Sequence, residues 1–164
     1  MRTEAERQRL FEQIVESSRR QIFAIAKNFA HGEFRDLCQD ILLQIWKNLD
    51  SYEGRAAPST WVYRVALNTA ISYRRKNGRR VETLSRPLEG SCAEPAAPAG
   101  TGNEILILEE FLRSLGGIDR AVFLLYLEDL SYRQIAEVTG LSENLVGVRI
   151  NRLKKSFVER FCGG

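Results

Sequence analysis

The sequence predicts an all-α protein made of two small helical domains joined by a flexible linker. Three observations carry this. Apolar residues recur at spacings of three and four through most of the chain, the period of helices with one buried side. Residues 82–102 interrupt that period with Pro87, Pro95, Pro98, Gly90, Gly100, Gly102 and several alanines, leaving too little apolar surface to order the segment alone. Residues 131–161 read as two capped helices about a tight turn, the second of them basic. The expected boundaries are a first domain at 1–81, a linker at 82–103 and a second domain at 104–164.

The first helix is expected over residues 4–30, with a break allowed at Ser17 and Ser18. Leu10, Phe11, Ile14 and Val15, then Ile22, Phe23, Ile25, Ala26 and Phe29, keep helical spacing, and His31 and Gly32 end it. Residues 34–49 form the clearest amphipathic helix. Phe34, Leu37, Cys38, Ile41, Leu42, Ile45 and Leu49 make its buried stripe. Asp36, Gln39, Asp40, Leu43, Gln44 and Lys47 lie opposite. Leu43 is then either a single exposed leucine, which is common, or a contact spot rimmed by carboxylates.

Residues 50–58 are a loop, and Ser59 or Thr60 caps a helix running to about Lys76. Val62, Val65, Ala66, Thr69 and Tyr73 are its expected core stripe. Trp61, Arg64, Asn68, Ile71 and Arg75 recur on another side. Rings interleaved with arginines and an asparagine suit a single-stranded nucleic acid, where rings stack on bases and guanidiniums follow phosphates. The other reading places Trp61 in the core among solvated arginines. After the linker, Asn103 caps a helix through Leu115, Gly116 and Gly117 turn, and residues 118–130 form a helix with Val122, Phe123, Leu125, Tyr126 and Leu127 mostly inward.

Ser131 and Gln134 then form a capping box. Ile135, Ala136 and Val138 give the next helix its apolar side, and Gly140 supplies the positive φ of the turn. Ser142 caps the last helix, with Glu143 at the positive end of its dipole. Leu145, Val146, Ile150, Leu153 and Phe157 form the packing stripe. Asn144, Arg149, Arg152, Lys154 and Lys155 face outward. This is a helix-turn-helix layout, whose second helix enters the DNA major groove, although a helix pair with a solvated basic surface has the same pattern.

Net charge is only +3, but charge is segregated. Arg55, Arg64, Arg74, Arg75, Lys76, Arg79 and Arg80 fall in a stretch with no acidic residue, whereas acidic residues gather at 33–40 and 104–110. One face suits a polyanion and another a different partner. Cys38, Cys92 and Cys162 are far apart and show neither a disulfide framework nor a zinc spacing. No signal peptide and no apolar run near 18 residues is present, so a reduced, cytoplasmic protein without membrane insertion is expected. No cofactor or metal is expected. His31, Glu33, Asp36, Cys38 and Asp40 are the nearest thing to a metal cluster, but Cys38 lies on the buried stripe and Asp36 and Asp40 face away from it.

With these pieces placed, the chain resembles the extracytoplasmic-function (ECF) sigma factors, the smallest class of specificity subunits of bacterial RNA polymerase. DLCQDILLQIWKNLDSYEG at 36–54 is similar to the part of sigma region two that binds the polymerase clamp. STWVYRVALNTAISYRRKNGRR at 59–80 is similar to the part that melts and reads the minus-ten element. DRAVFLLYLEDLSYRQIAEVTGLSENLVGVRINRLKK at 119–155 is similar to region four. The resemblance implies a region-two bundle and a region-four helix-turn-helix. It implies a clamp contact through Asp36, Gln39, Asp40, Leu43, Gln44 and Trp46. A flipped base of the non-template strand would enter a pocket formed by the loop 51–58 beside Asn68. Minus-ten contacts would involve Tyr52, Arg55, Trp61, Tyr63, Arg64, Asn68, Arg74, Arg75 and Lys76, with Trp61 and Tyr63 either stacking or supporting the pocket.

Minus-thirty-five reading would fall to Ser142, Glu143, Asn144, Gly147, Val148, Arg149, Arg152 and Lys155. Gly147 and Val148 depart from the lysine and serine frequent in the family. Gly147 would let the helix approach DNA closely, or Val148 would meet a thymine methyl. The linker, with Glu82, Glu89 and Glu94, would thread toward the active-site cleft of the polymerase. Implied partners are the polymerase core (its beta-prime clamp and beta flap), promoter DNA and an anti-sigma factor.

Two other classes compete. A stand-alone helix-turn-helix regulator normally dimerises to read paired half-sites, yet the chain shows no dimerisation segment and that class leaves the acidic Leu43 face unexplained. An enzyme needs a nucleophile–base pair or a metal cluster, and the chain has one histidine.

Overall fold

The structure, a computed structural model, describes residues 1–77 and 102–162. The expected linker therefore lies outside the described residues except for Gly102 and Asn103, as do Arg79, Arg80 and Cys92. The chain divides into two units, Met1–Ala97 and Pro98–Gly164. All regular elements among the described residues are helical.

The first unit is a three-helix bundle of α1 (Glu4–Ala30), α2 (Phe34–Asn48) and α3 (Pro58–Asn77), with 3-10 turns at His31–Glu33 and Leu49–Ser51. A capping box starts α1. The Thr3 N–H donates to Glu6 Oε2 at 2.7 Å, and the Glu6 N–H donates to Thr3 Oγ1 at 3.2 Å. The Thr3 backbone bond holds the Glu6 carboxyl below its ordinary pKa. The helix does not break at the serine pair. Ser18 is buried in the apolar stripe, and the Ser17 hydroxyl donates back to the Ile14 carbonyl at 3.0 Å, so both are accommodated within the helix.

The core joins Ile14, Ile22, Ile25 and Phe29 of α1, Leu37, Cys38, Ile41 and Ile45 of α2 with Leu49 just beyond it, and Val62, Ala66, Leu67 and Ala70 of α3. Each fully buried leucine or isoleucine contributes about 1.5–3 kcal/mol against leaving it exposed. Helix α3 starts earlier than expected. The Trp61 N–H donates to the Ala57 carbonyl at 3.2 Å, and Pro58 takes the first helical position, where no amide is needed and φ is already helical. Its buried arc is also wider than the expected stripe. It takes in Trp61, Tyr63, Leu67 and Ala70, while Val65, Thr69 and Tyr73 are only half-buried, because both α1 and α2 pack on it.

The second unit comprises α4 (Gly102–Ser114), α5 (Gly117–Leu127), α6 (Tyr132–Thr139) and α7 (Glu143–Phe161). Asn103 lies inside the first turn of α4 rather than capping it. Helix α5 stops at Leu127, three residues short of expectation. Asp129 adopts φ 62°, and the Leu130 and Asp129 N–H groups donate to the Leu125 and Tyr126 carbonyls, closing the helix in a Schellman motif. Leu127 is consequently exposed rather than inward.

Phe111 is the hub of this core. Its ring meets Phe123 and Phe157, each at 5.2 Å between centroids, and Phe161 at 6.2 Å, all nearly edge-on. Arg120 is 3% exposed, yet its Nη2 donates to the carbonyls of Arg113 (2.8 Å) and Leu115 (3.2 Å). The buried cation thus satisfies the carbonyl end of α4, where the helix dipole is negative. No helix among the described residues is long and apolar enough to cross a membrane.

Candidate nucleic-acid and partner interfaces

On the outer side of α2, Asp36, Gln39 and Asp40 are exposed around Leu43, which is 47% exposed. Asp36, Asp40 and Leu43 follow one another at spacings of four and three, so two carboxylates and an apolar knob share one face. Gln44 is half-buried, and its carbonyl accepts from Asn48 Nδ2 at 2.8 Å. Trp46 sits at the edge of the face. Its ring packs edge-on against Phe11 at 5.3 Å, with the Arg7 guanidinium 4.6 Å from its centroid. Cys38 is buried on the opposite side from Asp36 and Asp40, so these ligand types diverge. Among the described residues no group of three or more His, Cys, Asp or Glu is placed to hold a metal ion.

The loop after α2 is held from several directions. Arg2 Nη1 donates to the Leu49 carbonyl at 2.9 Å, and its Nη2 donates to the Tyr52 carbonyl at 2.8 Å. Arg7 Nη2 donates to the Trp46 carbonyl at 3.3 Å, and its Nε lies 3.5 Å from Asp50 Oδ2. Two guanidiniums thereby close the carbonyl end of α2 and the start of the loop. Sequence reasoning missed both, because the contacts span about 40 to 50 residues and leave no local signal. The Tyr52 ring rests on Trp61 at 5.2 Å, and its hydroxyl donates to the Ala56 carbonyl at 3.2 Å. Gly54 turns the chain at φ 78°, where a side chain is strained. Arg2→Ala removes both loop bonds. Faster amide exchange over 49–57 with unchanged overall helicity is the expected outcome.

Beyond this loop, Trp61 is 9% and Tyr63 5% exposed, so neither ring is open to solvent for stacking on a base. Both rings lie in the packed side of α3, Trp61 against Tyr52. Arg64, Asn68, Arg75 and Lys76 are exposed, and Arg74 is half-buried. Arg64, Asn68 and Arg75, with half-buried Ile71 between them, follow at spacings of four, three and four, which puts three polar side chains and one apolar one on a single side of α3. Arg55 is exposed and paired with Glu53 at 3.1 Å. At its far end α3 is tied down by Tyr73, whose hydroxyl donates to Glu33 Oε2 at 2.7 Å.

In the second unit the capping box at α6 has both bonds. The Ser131 N–H donates to Gln134 Oε1 at 2.8 Å, and the Gln134 N–H donates to Ser131 Oγ at 3.1 Å. Gly140 turns the chain at φ 79°, and Ser142 caps α7 by accepting from the Leu145 N–H at 3.2 Å. Val146, Ile150 and Leu153 are buried as expected. Leu145 is not: it is 49% exposed, and Val148 is 54% exposed. They lie with Asn144, Asn151, Arg152 and Lys155 on the outer arc of α7, and Glu143 is also exposed. Leu145 and Asn151 were missed as outer-arc residues.

Arg149 does not face freely outward. Its Nη1 donates to Asp119 Oδ1 at 2.6 Å, and Arg152 reaches the same oxygen at 3.7 Å. Lys154 lies 4.7 Å from the Tyr126 ring centroid, and a hydrogen bond with that side chain raises its pKa above the ordinary lysine value. Gly147 faces α6, where a Cβ would stand 3.4 Å from Tyr132 Cε2. The position thus lies beside the Tyr132 ring, with room for a methyl group. That distance is ordinary contact, and the helix gains about 1 kcal/mol on replacing glycine with alanine. Gly147→Ala is expected to raise stability by about 0.5–1 kcal/mol, read from the thermal midpoint.

Known proteins share this arrangement. The family described as Sigma-70 region 2 matches residues 14–80, and Sigma-70, region 4 matches residues 105–157. The ECF RNA polymerase sigma-E factor of Escherichia coli is 30% identical over 146 residues, covering 80% of this chain and 75% of that protein. The chain belongs to the ECF sigma factors. The sigma-E factor of Haemophilus influenzae is 28% identical over 148 residues, covering 80% of this chain and 76% of that one. A sigma factor RpoE from Bartonella quintana, solved in complex with the anti-sigma factor NepR, has the same fold. It superposes with a TM-score of 0.71 at 24% identity, covering 91% of this chain and 94% of that chain. This sigma factor is accordingly a transcription initiation factor that directs RNA polymerase core to promoter DNA.

Proposed function

We propose that the two units divide promoter recognition between them, with residues 1–81 binding the polymerase clamp and opening the minus-ten element, 82–103 serving as the tether, and 104–164 reading the minus-thirty-five element. The observation that carries this is the pairing of two chemically opposite surfaces on the first bundle. The α2 face of Asp36, Gln39, Asp40, Leu43 and Gln44, with Trp46 at its rim, suits a basic helical partner, where complementary charge fixes register. The loop and α3 carry Arg55, Arg64, Asn68, Arg74, Arg75 and Lys76. They suit the backbone and an unstacked base of a separated strand, and phosphate contacts of this kind weaken with salt.

Flipping a base costs a few kcal/mol. The loop braced by Tyr52, Trp61 and Arg2 spends little further ordering entropy on receiving one. Trp61 and Tyr63 act here as supports, and Asn68 as the exposed polar contact. On α7, Asn144, Val148, Arg152 and Lys155 are placed for duplex contact, Ser142 and Glu143 for the entry of the helix, and Arg149 as the strut to Asp119. The sigma factor performs no chemistry of its own, works in the cytoplasm, and is held in check by an anti-sigma factor, as the Bartonella protein is bound by one.

In vitro transcription from random promoter libraries with purified core enzyme tests the reading, together with footprints taken with and without polymerase. Protection that requires core supports it; tight, polymerase-independent binding by a dimer counts against it. Asn68→Ala is expected to lower open-complex formation about tenfold, the loss of one well-placed hydrogen bond, while core binding stays near normal. Equal loss of both would remove the melting role.

A further inference from the structure

From the outer arc of α7 we infer that Leu145 and Val148 read thymine methyl groups in the upstream promoter element. This rests on the proposal that α7 enters the major groove. Leu145 is the third residue of the helix and Val148 the sixth. Both lie in the first two turns, the part of a recognition helix that meets base edges. Half of each side chain is in solvent, although Val146, Ile150 and Leu153 already fill the buried side of the helix. The core therefore does not account for two large apolar groups at a spacing of three on a polar surface.

The neighbouring positions narrow the reading chemistry. Arg149, the residue suited to guanine, is engaged by Asp119 at 2.6 Å. Gly147 faces Tyr132. Of the first six residues of α7, the exposed ones are Glu143, a carboxylate suited to cytosine, Asn144, Leu145 and Val148, with Arg152 (3.7 Å from Asp119) and Lys155 further along the same arc for phosphates. The apolar group that a base pair presents in the major groove is the C5-methyl of thymine. An apolar pair followed along the helix by two cations matches a thymine-bearing duplex.

The test uses the full chain assembled with bacterial core polymerase and an upstream element enriched from random duplexes. Each thymine of that element is replaced singly by deoxyuridine, which removes only the methyl. At two positions binding should weaken about fourfold, the factor expected for one methyl taken out of water. Val148→Ala should erase the thymine–uracil difference at one position, and Leu145→Ala at the other. An element without thymines, or deoxyuridine binding as well as thymine everywhere, overturns the inference. So does a loss of core affinity in these variants with the thymine–uracil ratio intact, which would assign the patch to a protein partner. Arg152→Ala with Lys155→Ala separates the levels. If that pair weakens upstream binding while uracil is neutral, methyl reading fails and groove binding stands. If it changes nothing and uracil is neutral, both fail.

Discussion

Replacing Asp40 with lysine together with Leu43 with alanine is expected to lower affinity for polymerase core by about 100-fold. The pair removes an apolar knob and reverses a charge at the centre of one helix face; a 100-fold loss is about 2.7 kcal/mol, the size of one central anchor, because truncations of neighbouring contacts do not add. The fold should survive, because both side chains point away from the core formed by Leu37, Cys38, Ile41 and Ile45. Circular dichroism checks the helix content, and competition with another sigma factor for a limiting amount of core measures affinity. Normal affinity in the double variant would remove the α2 face from the clamp contact. Weakened affinity that recovers at high salt would point to charge alone, since screening acts on Asp40 and leaves Leu43 untouched.

Phe111→Ala is expected to unfold the second unit while the first bundle persists. Truncating a fully buried phenylalanine costs about 3–5 kcal/mol. A unit of this size has only about 3–10 kcal/mol in total at typical stability per residue. Three aromatic neighbours lose their shared partner at once. Amide exchange on the full chain reads the outcome: α4–α7 lose protection, α1–α3 keep theirs, and protection of the minus-thirty-five element disappears from the footprint. Retained protection throughout α4–α7 would show that Phe123, Phe157 and Phe161 close around the cavity. The same substitution at Leu37 in α2 makes the converse control, because that core belongs to the first bundle.

Much of this protein was legible in its residues. The all-helical class, the α1 and α2 stripes, the capping box at Ser131 and Gln134, the turn at Gly140 and the cap at Ser142 are local matters. They depend on period, on a side chain reaching its own backbone, or on a backbone angle that glycine favours, and all of these are written within a few residues. The exposed Leu43 followed from the same arithmetic, since a residue opposite the buried stripe of a simple amphipathic helix has nowhere to go but solvent.

Other features belonged to the tertiary structure. Trp61 and Tyr63 are buried because α3 is packed by two helices, which widens its buried arc beyond any one-sided stripe. Arg149 is engaged because Asp119, thirty residues earlier, lies within reach. Arg2 and Arg7 brace a loop some 40 to 50 residues away, and Arg120 is buried because carbonyls at the end of α4 take its charge. Leu145 and Gly147 changed meaning in the same way: one faces outward and the other meets Tyr132. Periodicity tells how a helix turns about its own axis. What covers each side, and which distant polar group a charged side chain finds, is set only when the helices meet.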